Sequence, residues 1–273
     1  MLGPWRLGVM EGRLLPKYKG RYQAHPKGYW ADEFPVAARF GLELIEFILD
    51  YEDAAENPLL AEGGLESLRA AMESSGVRVA SICADYFMEA PLHRGERRDE
   101  AAACLDLLLD RAGELGIGDI VIPCVDHSRL EDADQEDSLV AALTRILPKA
   151  EALGINLSLE TDLDPIRFAG LLARLPSPRV TVNYDIGNSA SWGYDPRAEW
   201  AAYGPRISDV HIKDRVLSGG SVDLGSGNAD IPLVLDLMRQ AGFSGPVIMQ
   251  AFRDDEGLEV FGRQLAWLRE KAG

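Results

Sequence analysis

The sequence predicts an α/β chain folded as a (β/α)8 TIM barrel. Three observations carry that expectation. Eight short apolar or β-branched runs recur along 273 residues. Amphipathic stretches lie between them, and four of these end on Gly, the usual left-handed helix stop. The length is close to the ~250 residues typical of one such barrel.

The runs are RLGVM (6–10), LELIEFI (42–48), VRVASI (77–82), DIVIP (119–123), INLSLE (155–160), VTVNYD (180–185), ISDVHI (207–212) and PVIMQA (246–251). The helical stretches are ESLRAAMESSG after the second run, RRDEAAACLDLLLDRAGELG after the third, EDSLVAALTRILPKAEALG after the fourth and PLVLDLMRQAG after the seventh. Strand, loop, helix and Gly repeating every ~30 residues specify βα units and a parallel sheet. Eight unbroken units favour closure into a barrel. An open doubly wound sheet normally carries GxGxxG after its first strand, and MEGRLLPKYKGRYQ lacks it. With no linker or composition shift, residues 1–273 read as one domain whose active site lies at the C-terminal rim of the strands.

Segment 11–31 is then the first βα loop at that rim. It carries Arg13, Lys17, Lys19, Arg21, His25 and Lys27 among Tyr18, Tyr22, Tyr29 and Trp30. It reads equally as a cap over an anionic or polyol ligand and as a solvated loop.

Composition narrows the function classes. The net charge is −16, from 44 acidic and 28 basic residues. Such a surface repels nucleic-acid phosphates and anionic membranes. No run approaches ~18 apolar residues and the N-terminus has no signal-like apolar core, so a cytoplasmic protein is expected. The three cysteines, Cys83, Cys104 and Cys124, form no CxxC and suggest reduced thiols.

Four strand tails hold the chemistry. LSLET, VNYDIGN, DVHIKD and VIMQAF place Glu160, Asp185, His211 and Gln250 at the ends of their runs. A barrel brings such tails together on one rim. Two carboxylates, an imidazole and an amide oxygen suit Mn²⁺, Mg²⁺, Co²⁺ or Zn²⁺. Each residue also has a plainer reading. Glu160 fits a solvent-facing loop, Asp185 an Asx turn or helix cap, and His211 a core histidine. Gly187 would permit a tight turn close to a ligand.

The stretches YDIGNSASWGYDP, DVHIKDR and LGSGNADIPLVLDLMRQAGFSGPVIMQ, with VRVASICADYFMEAPL before them, resemble the xylose-isomerase-like sugar-phosphate isomerase/epimerase superfamily. Within it the chain is most similar to the L-ribulose-5-phosphate (L-xylulose-5-phosphate) 3-epimerases and the hexulose-6-phosphate isomerases. Region 180–250 is the most specific part. The resemblance implies a TIM barrel and a metal set of Glu, Asp, His and Glu. That set falls on Glu160, Asp185, His211 and Gln250, and the last is a departure.

It also implies a mechanism. A divalent ion chelates the carbonyl and a neighbouring hydroxyl of a ketose, and a carboxylate removes the adjacent C–H proton to give an enediolate. Epimerisation needs a proton donor on the opposite face, and Gln250 carries no such proton. Three readings stay open. The chain is a one-base isomerase using Glu160, an epimerase whose second acid is Asp214, Glu46 or the 254–256 loop, or a catalytically impaired carbohydrate-binding barrel.

Further residues suit a sugar or sugar phosphate. Lys213 and Arg215 follow the seventh strand, where such barrels often hold phosphate. Gly225 and Gly227 of LGSGN offer backbone N–H groups to an anion. Asn188 suits a sugar hydroxyl, and Trp192 a sugar face or the core. Glu46, read as the end of the second strand, points either at substrate or into a rim salt bridge. The superfamily's trinuclear zinc endonucleases need many ligands, several of them histidines, and this chain has only His25, His93, His127 and His211. A homo-oligomer is common in this superfamily.

Overall fold

The computed structural model describes residues 5–255 and 257–273. Its strands are β1 (Leu7–Met10), β2 (Leu44–Ile48), β3 (Arg78–Cys83), β4 (Asp119–Cys124), β5 (Asn156–Thr161), β6 (Val180–Asp185), β7 (Ile207–Ile212), a short ribbon of β8 (Asp214–Arg215) and β9 (Ser221–Val222), and β10 (Val247–Met249). Eight of them close a barrel in the order β1-β10-β7-β6-β5-β4-β3-β2, every pair parallel. The eight apolar runs are these eight strands.

Helices fill each crossover: α1 (Glu33–Arg39), α2 (Gly64–Ser75), α3 (Tyr86–Glu89) with α4 (Arg98–Leu115), α5 (Ala133–Leu153), α6 (Pro165–Ala173), α7 (Ile186–Trp192) with α8 (Pro196–Tyr203), α9 (Ile231–Ala241) and α10 (Leu258–Ala272). The four glycine stops hold. Gly76, Gly116, Gly154 and Gly242 cap α2, α4, α5 and α9 in the left-handed conformation, at φ 75°, 70°, 72° and 65°. The remaining helices escaped the apolar pattern. Two of them, α6 and α8, announce themselves by caps. Asp164 and Asp195 each precede a Pro and accept first-turn N–H bonds.

Residues facing the helices form the main apolar core. The lumen is divided. Met10, Leu44, Ile48, Cys83 and Ile248, from β10 through β3, form a small separate apolar cluster. A Cβ on Gly8 would come within 2.7 Å of both Ile248 and Leu44, so only glycine fits that layer. Across the lumen, β4–β7 contribute Asp119, Ser158, Thr181, Asn183, Asp209 and His211, all buried. Two register shifts serve this polar half. Between β6 and β7, Ser208 is the unpaired extra residue and donates to Asp119 Oδ1 at 2.6 Å. Between β2 and β3, the shift at Ile45/Glu46 sets Glu46 opposite Ser81.

Candidate active site

Glu160, Asp185 and His211 end or nearly end three adjacent strands, and one ligand atom from each lies within 4.8 Å of the others. Donor atoms about 2.4 Å from a shared ion stand at most about 4.8 Å apart, so the three side chains meet the spacing that one shared ion requires. Gln250 follows Ile248, which pairs with His211, and its N–H donates to Ile212 at 3.0 Å. Two positions beyond Ile248, it lies on the same side of β10 and one step nearer the rim.

Two of the four expected ligands keep a buried atom without a hydrogen bond. His211 Nε2 lies 2.7 Å from Glu46 Oε1 and 2.7 Å from the Asn183 amide, whereas its Nδ1 makes no hydrogen bond and faces Asp185 Oδ2 at 4.0 Å. Gln250 Nε2 donates to Gln23 Oε1 at 2.9 Å, whereas Gln250 Oε1 has none. A buried imidazole nitrogen without a hydrogen bond, grouped with two carboxylates, fits a divalent cation, and the buried Gln250 oxygen, also without a hydrogen bond, is a fourth donor of the right kind at the next strand tail. The electrostatics agree. Burial, then the charge of Asp185, pushes the Glu160 carboxyl up to about 8. Burial disfavours the His211 imidazolium, yet Glu46 and the neighbouring carboxylates outweigh it and raise His211 to about 10. Such a concentration of negative charge is what a bound cation neutralises.

Asp185 is the helix cap that one reading of the sequence allowed, and its second oxygen stays within the cluster. Oδ1 accepts from Asn188 N–H at 2.8 Å and caps α7, while Oδ2 faces Lys213 Nζ at 3.2 Å. Asn188 ties the cluster together. It donates to Glu160 Oε1 at 2.6 Å and accepts from Lys213 Nζ at 3.2 Å and Arg215 at 2.8 Å. Gly187 does permit a close approach, but of Lys213 and not of a ligand. A Cβ there would meet Lys213 Cγ at 2.7 Å.

Three expectations are corrected. Glu46 does not end β2, which runs on to Ile48, so Glu46 sits mid-strand at 0% exposure, bonded to His211 and to Ser81 Oγ at 2.5 Å. It supports His211 and cannot touch substrate. Gly225 and Gly227 do present an N–H cradle, but the anion in it is the chain's own. Both donate to Asp214 Oδ2 at 2.9 Å, and Ala229 N–H donates to Oδ1 at 3.0 Å. Asp214 is therefore sequestered as well, at 0% exposure, and is no second acid. In the 254–256 loop, Asp255 projects to solvent and pairs with Lys17 at 2.5 Å. Glu256 lies outside the described residues. Trp192 is 47% exposed.

The first βα loop is a built structure. Glu33 accepts N–H bonds from Gly12 and Leu14 at 2.6 and 2.8 Å, and Glu11 accepts from Ile48 N–H and holds His25 Nδ1 at 3.0 Å. So anchored, the loop delivers Gln23, whose Oε1 accepts from both Gln250 and Arg13, the latter at 2.9 Å. Burial, and then Arg253, lowers Arg13 to about 10, while Asp185 opposes the shift. A cavity of about 620 Å³ adjoins the cluster, with Gln23 and Lys213 in its wall beside Arg21, Asp50 and Asp85. Its size suits a sugar phosphate. Sequence reasoning missed Gln23, Asn183 and Asp85. Only Asp85 left a signal, as a carboxylate just past a strand tail.

A family model described as the xylose isomerase-like TIM barrel matches residues 34–271. The chain belongs to that family. Among relatives of this xylose isomerase-like barrel, the 2-epi-5-epi-valiolone 7-phosphate 2-epimerase of an Actinoplanes species is 27% identical over 274 residues, covering 98% of this chain and 94% of its own length. L-ribulose-5-phosphate 3-epimerase UlaE of Escherichia coli is 25% identical over 245 residues, covering 82% of this chain and 83% of its own. A xylose isomerase-like TIM barrel protein from Mycobacterium smegmatis in complex with magnesium superposes at TM-score 0.74, with 17% identity and coverage of 99% and 97%. The IOLI protein with a bound zinc atom gives 0.73, with 17% identity and coverage of 98% and 95%. At such identities these two structures share the fold. The chain is an enzyme of the sugar isomerase and epimerase kind. No helix among its described residues is long and apolar enough to cross a membrane.

Proposed function

We propose that this chain, as one barrel domain, inverts or isomerises the carbon next to the carbonyl of a ketose or ketose phosphate. The reaction passes through an enediolate, with a divalent ion held by Glu160, Asp185, His211 and Gln250. The observation that carries this reading is the grouping of Glu160, Asp185 and His211, with His211 Nδ1 and Gln250 Oε1 both buried and without a hydrogen bond. Magnesium and zinc in the two barrel structures above support a divalent ion. When bound, it supplies Lewis-acid polarisation of the carbonyl and acidifies the neighbouring C–H.

The remaining work belongs to side chains. Glu160 is the base that takes the proton, and Asn188 holds its carboxylate in one orientation. Lys213, in the cavity wall beside Asp185, places a cation where an anionic or hydroxyl group of the substrate would lie. Glu46 fixes the His211 ring through Nε2, which leaves Nδ1 free to ligate. The epimerase names of the relatives favour inversion over aldose–ketose exchange, and two of them act on phosphates. A cytoplasmic setting suits three free, buried thiols.

The test is solvent-deuterium incorporation into 2-epi-5-epi-valiolone 7-phosphate and L-ribulose 5-phosphate, with EDTA-stripped and Mn²⁺- or Mg²⁺-reloaded protein. Exchange that needs the ion and disappears in Glu160→Gln is the expected result. Binding of these compounds with no exchange by any form would instead make the chain a carbohydrate-binding barrel.

A further inference from the structure

With Gln250 unable to carry a proton, inversion needs a second group, and the cavity wall holds several carboxyls. Most are already engaged. Asp50 pairs with Arg21 at 3.2 Å, Glu52 with Lys19 at 2.7 Å and Glu89 with His127 at 3.0 Å. Asp126 is exposed at the mouth. Asp85 differs from all of these. It is part-buried, just past the tail of β3, and has no ion pair among the described residues. Its side-chain hydrogen-bond partners among those residues are a weak donor, Cys83 Sγ at 3.2 Å, and Gln23 Nε2 at a long 3.4 Å.

Gln23 connects this carboxyl to the centre. Its amide nitrogen points at Asp85, while its oxygen accepts from Gln250 Nε2 and Arg13. One side chain thus turns the Gln250 oxygen inward and holds Asp85 on the cavity side. Asp85 and Lys213, which reaches Asp185 at 3.2 Å, also line the same cavity.

We propose that Asp85 is the second proton-transfer group of this enzyme and does the work that Gln250 cannot. The inference rests on the enediolate reading above. In the step, the Glu160 carboxylate takes the proton from the carbon next to the carbonyl. The C–H bond breaks, an O–H bond forms on Glu160, and the electron pair becomes the enediolate double bond. The Asp85 carboxylic acid then gives its proton to the same carbon. Its O–H bond breaks, the enediolate pair forms the new C–H bond, and the carbonyl returns. Asp85 is left as carboxylate and Glu160 as acid, and solvent exchange restores both. Burial, and then the charge of Asp50, raises the Asp85 carboxyl to about 6, which leaves part of it protonated near neutrality. Gln23 is a positioning residue in this scheme.

The experiment measures two rates in one D₂O reaction of the metal-loaded protein with 2-epi-5-epi-valiolone 7-phosphate and L-ribulose 5-phosphate: deuterium uptake at the reacting carbon, and appearance of the epimer. Asp85→Asn should keep uptake within about 10-fold of wild type while epimer formation falls at least 100-fold. The ratio of the two rates is independent of how much protein is folded, and Asp85→Ser, measured alongside, should show the same split. A ratio unchanged in both variants would overturn the role of Asp85 and leave the enediolate reading standing. Wild-type uptake without any epimer would do the same. Neither uptake nor epimer from the wild type would remove the enediolate reading and Asp85 with it.

Discussion

Glu46 Oε1 lies 2.7 Å from His211 Nε2 in the barrel lumen, and neither side chain touches solvent. The carboxylate fixes which ring nitrogen is free and raises the basicity of the imidazole. It is itself held by Ser81, while Asp209 behind it is pushed well above the usual carboxylate range, by burial first and by Glu46 next. The contact yields the first expectation.

Glu46→Gln should weaken divalent-ion binding by about 10- to 100-fold, because the ring loses its anionic partner. Titration of EDTA-stripped protein with Mn²⁺ measures it. Unchanged affinity would mean that His211 is not a ligand.

Lys213 competes for the same anionic centre through its 3.2 Å contact with Asp185. Lys213→Met should thus tighten ion binding several-fold while raising KM for a phosphorylated probe. Weaker ion binding in this variant would show that Lys213 is needed to hold Asp185 in place.

The Asp214 cradle is a matter of stability. A Cβ at Gly227 would lie 2.2 Å from Asp214 Oδ1 and 2.6 Å from Arg215 O. Gly227→Ala should lower unfolding stability by about 2 kcal/mol or more, read from urea denaturation, since a buried carboxylate loses N–H donors. A loss below about 0.5 kcal/mol would contradict the cradle.

How far the site could be read from sequence follows from these residues. The convergence of Glu160, Asp185 and His211 was legible because a parallel barrel converts strand tails into neighbours whatever the loops do. Glu46 was misplaced because β2 outruns the residue that seemed to end it, which turns a rim position into a lumen one. LGSGN was read as a site for a substrate anion, and no local pattern says that its N–H groups instead hold Asp214, 11 residues before Gly225. Gln23 lies in a loop without periodicity, and only the Glu11 and Glu33 anchors bring it over the barrel mouth.

Away from the site, His93 is buried with Nε2 unpaired, and burial, then Arg94, lowers its pKa to about 4. An unfolded histidine takes up its proton near pH 6.5, whereas His93 in the folded chain does so only near pH 4. Between those values the unfolded state binds more protons, so stability falls as the pH drops, by at most about 1.4 kcal/mol per unit. His93→Gln should flatten this part of the melting-temperature profile. An unaltered slope from pH 6.5 to 4 would assign the acid sensitivity elsewhere.

The most direct test of the metal site is an anomalous difference map from crystals soaked in Mn²⁺. The account predicts one dominant peak, about 2.0–2.4 Å from Glu160, Asp185, His211 Nδ1 and Gln250 Oε1. A peak instead between Glu46, Asp209 and His211 Nε2, or none at millimolar Mn²⁺, would contradict it.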